Sequence, residues 1–90
     1  MKLINEKLKD LRGNEFKGGV TLFQAIELAL VSCDEQTPTE KKRSNYKLVK
    51  RFIDTDEANV EIEELAEIKS AVGQYLVTEV MGVVEDILEK

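Results

Sequence analysis

The chain has no histidine and no tryptophan, one cysteine and one proline. Each shortage removes a class of chemistry. Without histidine there is no Ser-His-Asp or Cys-His catalysis, and the commonest zinc ligand is gone. The single cysteine, Cys33, excludes an internal disulfide and any multi-cysteine metal site. It fits a reducing compartment. Aromatic residues amount to three Phe and two Tyr, so a core has to be built mainly from Leu, Ile and Val. No apolar run approaches the ~20 residues that a membrane helix needs. Met1-Lys2-Leu3 meets charged residues within a few positions, which leaves no hydrophobic region for a signal peptide. A cytoplasmic protein with no membrane association is expected.

What is present is the composition of one small globular domain. The 90 residues are 42% apolar and 34% charged. A chain this short folds alone but has little room for both a core and a deep cleft. The net charge of −5 is unevenly laid out. Residues 1–53 hold 11 Lys/Arg and 7 Asp/Glu, whereas residues 54–90 hold 2 Lys/Arg and 11 Asp/Glu. The first reading is that the two ends attract each other in the fold or face water. The second is a dipolar surface whose basic and acidic faces each steer a partner.

Periodicity and capping signals predict a mostly α protein: a compact bundle of three to four helices after a short extended or hairpin lead-in, residues 1–19. Gly13-Asn14 marks a tight turn within that lead-in. Helix one is expected over about 21–33, opened by a Thr21/Gln24 capping box, with Leu22, Ile26, Ala29, Leu30 and Cys33 as its buried stripe. Cys33 is thereby read as a small core residue. Helix two, about 38–53, starts with Thr37 as cap, Pro38 at the first helical position and Glu40 closing a second capping box. Its inner face is read as Tyr46, Val49, Phe52 and Ile53, with Leu48 flanking.

Residues 54–59 read as an acidic connector. Helix three is expected over about 61–72, with Ile62, Leu65, Ile68 and Val72 inward and Gly73 as C-cap or kink. Helix four is expected over about 74–88. Eight of the thirteen residues 76–88 are apolar, an arc wider than one packed side requires. The first reading makes it the central helix of the bundle. The second makes part of it an interface, with Tyr75, Met81, Val84 and Leu88 as the candidate residues and Gly82 allowing close approach.

Two apparent motifs fail on inspection. Gly13 and Gly18 stand at P-loop separation, but Gly19 occupies the required lysine position. Asp54-x-Asp56 begins like a calcium loop, but Asn59 and Leu65 stand where a glycine and a bidentate glutamate are needed. Acidic pairs such as Glu63/Glu67 and Glu85-Asp86 read as solvated helix faces, with no second group to separate their pKa values. The chain is therefore read as a non-enzyme, with no cofactor and no metal. Lys41, Lys42, Arg43, Lys47, Lys50 and Arg51 place six cations on one helix, several in its first turn, where the helix dipole disfavours them. They form a candidate basic surface for nucleic acid; the competing reading is a solvated face balanced by the acidic second half.

The order of these segments resembles that of small uncharacterised proteins encoded by bacteriophages and prophages. The resemblance rests on Leu11-Arg12-Gly13-Asn14-Glu15-Phe16, Thr21-Leu22-Phe23-Gln24-Ala25-Ile26, Tyr46-Lys47-Leu48-Val49-Lys50-Arg51, Val60-Glu61-Ile62 running into Ile68-Lys69, and the closing Ile87-Leu88-Glu89. It covers most of the chain, and each motif is generic. Helix three departs from the pattern by starting with Glu63-Glu64 and lacking a Ser/Thr cap. The resemblance implies phage context, residence in a bacterial host cell, no enzymatic activity and no transferable functional residues. The expected function is that of an accessory protein that binds another protein, either a host factor or a virion component. A nucleic-acid-binding module using residues 41–51 and a small structural homo-oligomer are the two alternatives.

Overall fold

Thr21 opens the first helix as its sequence predicts. Its Oγ1 accepts from the Gln24 N–H at 3.2 Å, and Gln24 Oε1 accepts from the Thr21 N–H at 3.0 Å. In the computed structural model, which describes residues 1–89, the extended lead-in adds two more bonds to this end. The Glu6 carbonyl accepts from the Leu22 N–H at 2.8 Å and Asn5 Oδ1 from the Phe23 N–H at 3.0 Å. The N–H groups that a helix start leaves orphaned are thus met by protein partners. Helix α1 spans Leu22–Val31 and buries Leu22, Phe23, Ala25, Ile26, Ala29 and Leu30. It packs against all three other helices, so the central element is α1 and not the fourth helix.

The helix stops earlier than its stripe suggested. Ser32 turns extended, and both its N–H and its hydroxyl donate to the Leu28 carbonyl, at 3.1 and 2.6 Å. Cys33 therefore lies past the helix end and is exposed, which corrects its reading as a core residue. Thr37 does not cap helix two either. Its Oγ1 accepts from the Asp34 N–H and donates to Asp34 Oδ1, both at 3.1 Å. Pro38 is left as an N-cap with no side-chain bond, and α2 spans Thr39–Val49, followed by a 3-10 turn at Lys50–Phe52. The buried face is Asn45, Leu48, Val49 and Phe52: Val49 and Phe52 are buried as expected, whereas Asn45 and Leu48 take the places read for Tyr46 and Ile53. Tyr46 is 64% exposed and Ile53 42%. The Phe52 ring sits edge-on against Phe23, with centroids 5.0 Å apart.

The acidic connector hides a strand. Strand β1, Lys2–Ile4, pairs antiparallel with β2, Glu57–Asn59, in the register Leu3 opposite Ala58. Both of these residues are buried, while Lys2 and Glu57 form an ion pair on the outer face at 3.1 Å. Met1 and Val60 extend the pairing by exchanging bonds at 2.8 Å. The lead-in then runs antiparallel to residue 21 through the bridge of Lys7 with Thr21, burying Leu8. A turn follows in which Asp10 Oδ1 accepts from the Arg12 and Asn14 N–H groups, with Gly13 in the left-handed region at φ 84°.

Helix α3 spans Ile62–Tyr75 and runs straight through Gly73. The glycine neither caps nor ends it, because the buried Ala71 and Val72 hold the turn in place. The break falls at Leu76 and Val77, both extended, and α4 spans Thr78–Leu88. Of the expected inner residues of α3, Ile68 and Val72 are fully buried, whereas Ile62 on the first turn is 84% exposed. Helix α4 lies at the side of the bundle. It buries Val84 and Leu88, packs Val80, Met81, Val83 and Ile87 at the core margin, and leaves Val77 71% exposed.

Candidate functional site

Among the described residues no group of three His, Cys, Asp or Glu side chains is placed to hold a metal ion, and no helix is long and apolar enough to cross a membrane. Glu64 is the carboxylate whose surroundings most clearly alter its acidity. The Glu61 backbone N–H and then the Arg51 guanidinium hold it below the usual glutamate range. Both contacts are structural ties at the start of α3.

The uneven charge layout is partly resolved inside the fold. Lys2–Glu57, Lys41–Glu67 and Arg51–Glu64 each join the basic first half to the acidic second half. Two of the six candidate basic residues are used in this way. Lys41 reaches Glu67 at 3.4 Å, and Arg51 binds Glu64 and the Asn59 carbonyl. The other four, Lys42, Arg43, Lys47 and Lys50, stay exposed and form no ion pair among the described residues, although Lys47 also lines a cleft with Glu63, Glu64 and Glu67 of α3. With Thr39 and Tyr46 they line a shallow depression of about 350 Å³. The Lys50 ammonium stands 5.0 Å from the centre of the Tyr46 ring. Beside it, Lys42 and Tyr46 also border a smaller cavity of about 160 Å³, closed by Leu30, Thr37 and the buried Asn45.

The candidate interface residues on helix four do not form one surface. Val84 and Leu88 are sealed in the core, and Met81 is half-buried at its margin. Tyr75 does reach a surface site. It lines an apolar groove of about 320 Å³ with Val20, Leu28, Leu76, Val77 and Val80, where α1 passes the joint between α3 and α4. Leu28 is 57% exposed there. The sequence carried a signal for Leu28, which lies off the buried stripe of α1. It carried none for Val77, whose exposure depends on the position of the break between α3 and α4.

Comparison with protein-family models, with curated proteins and with solved structures gives no match.

Proposed function

We propose that the chain is a non-catalytic accessory protein of phage type that works in the cytoplasm of a bacterial host. It binds a short apolar segment of another protein in the groove between α1 and the α3–α4 joint. The observation that carries this reading is the groove itself: aliphatic side chains that a 90-residue chain leaves uncovered although they adjoin its core. Contiguous exposed apolar surface marks interaction sites. Its size selects the occupant. A stable interface between two globular faces draws on about 20–30 residues a side. The groove is lined by eight residues. It therefore fits one or two anchoring side chains of a peptide-like segment better than a second folded surface. The resemblance to small phage-encoded proteins supports the accessory role and leaves open whether the segment belongs to a host factor or a virion component.

The test is a peptide-display selection against the full-length chain, followed by mapping of the selected peptides by amide chemical shifts. Peptides with apolar anchors should perturb Leu28, Tyr75, Leu76 and Val77, and Leu28→Glu should abolish binding without lowering the melting temperature. Selected peptides that map elsewhere would overturn the reading. So would sedimentation showing a dimer that Leu28→Glu dissolves, because the groove would then be occupied by a second copy.

A further inference from the structure

The outer face of α2 shares no lining residue with the apolar groove and carries a different chemistry. We propose that it binds single-stranded nucleic acid, with Lys42, Arg43, Lys47 and Lys50 holding phosphates and the Tyr46 ring carrying a stacked base. Two independent features converge on this ligand.

The first is a selective lack of neutralisation. The fold brings acids of α3 to Lys41 and Arg51 at the two ends of the basic run, yet leaves the four cations between them unpaired among the described residues. Residues 42 to 50 span about 12 Å of helix at ~1.5 Å per residue, a length over which a backbone presents successive phosphates. Lys42 lies at the end of the first turn of α2, which begins at Thr39 and already carries Glu40.

The second feature is Tyr46. The Lys50 ammonium stands over the Tyr46 ring, 5.0 Å from its centre, and the ring as a whole is 64% exposed, which leaves a base flat surface to stack on beside that cation. An acidic peptide would satisfy the four cations but would bring no flat group to the exposed part of this ring. The bases of a duplex are already stacked on one another, so the ring selects an unpaired strand.

The whole molecule carries −5, so attraction is local and no long-range field assists it. Binding should therefore be weak and steeply salt-dependent. With four phosphates contacted, the slope of log affinity against log salt should be about −3.

Anisotropy of fluorescein-labelled oligothymidylate and oligouridylate, each about twelve nucleotides, measured against the full-length chain at low ionic strength, tests this. The expected result is a salt slope near that value. Tyr46→Ala should weaken binding about 5- to 150-fold while Tyr46→Phe retains it. Arg43→Gln should flatten the slope. Both sites are exposed, so the variants should melt with the parent. A duplex of equal length and polyglutamate should compete poorly. Absence of binding at low salt would overturn the proposal. Unchanged affinity of Tyr46→Ala, or polyglutamate competing as well as the oligonucleotide, would do the same and point to a general polyanion surface or an acidic protein partner. Preference for one of the two labelled strands would identify the ligand as DNA or RNA.

Discussion

Arg51 and Glu64 join the end of the α2 segment to the first turn of α3, and the same Glu64 carboxylate accepts from the Glu61 N–H at 2.9 Å. One side chain thus ties two elements and satisfies the backbone at a helix start. Its folded-state pKa lies below the ordinary glutamate value of 4.5. The stabilisation is therefore fully present at neutral pH and is lost as pH falls below 4.5 through the lower folded value. Glu64→Gln should flatten the acid limb of the stability curve. The effect at neutral pH should be modest, because the Arg51 side chain is 48% exposed and such pairs contribute about 0.2–1 kcal/mol. Urea titrations of both proteins across the acid range measure it. Parallel acid limbs would show the contact to be energetically silent.

Phe52 and Ile53 are adjacent, and the structure gives them opposite roles. Phe52 is 3% exposed and packs edge-on against Phe23, whereas Ile53 is 42% exposed. Phe52→Ala should cost about 3–5 kcal/mol, enough to unfold a marginal domain. Ile53→Ala should cost under about 1 kcal/mol. Thermal melts of the two variants test this placement, and equal costs would overturn it.

The cysteine prediction runs the same way. Cys33 follows the extended Ser32 and is exposed. Native protein should react with a bulky thiol reagent at nearly the rate of unfolded protein. Cys33→Ser should change stability by no more than about 0.5 kcal/mol. A thiol protected until denaturation would restore it to the core.

What the sequence made legible was local. The Thr21 cap depends on a residue three positions away, and both partners are free to meet. Thr37 and Glu40 stand at the same spacing, but Asp34 engages the Thr37 hydroxyl, so the pattern was present and the box was not. The pairing of Leu3 with Ala58 joins distant three-residue strands, too short to show any period of their own. Phe52 was readable as an inner residue, but its partner Phe23 lies outside any window on residues 38–53. The basic run was readable as a residue type. Which of its members stay free depended on where Glu64 and Glu67 of α3 arrive. The candidate interface residues of helix four were split between core and surface for a related reason. An apolar arc shows how much of a helix avoids water, but not which part the rest of the chain covers.

That last point can be measured with two valines of the fourth helical segment. Val84 is 0% exposed and Val77 is 71% exposed, although both belong to the wide apolar arc read from residues 76–88. Val84 faces the core cluster that includes Ile68, Val72 and Leu88. A carboxylate there would be buried with no cation arranged to meet it, a cost that exceeds the few kcal/mol by which a domain this small is stable. Val84→Asp should therefore yield an unfolded chain by circular dichroism. Val77 is the N-cap of α4, and its side chain makes no capping bond. An aspartate there removes little buried area, can accept from the free N–H groups of the first turn and faces the positive end of the helix dipole. Val77→Asp should keep the melting temperature or raise it, by an amount equivalent to about 0.5–1 kcal/mol. It should also place a charge on the lip of the apolar groove. A Val77→Asp protein that folds normally and still binds groove-directed peptides would separate the groove from the binding surface. One that fails to fold would show that the α3–α4 joint is packed more tightly than its exposure indicates.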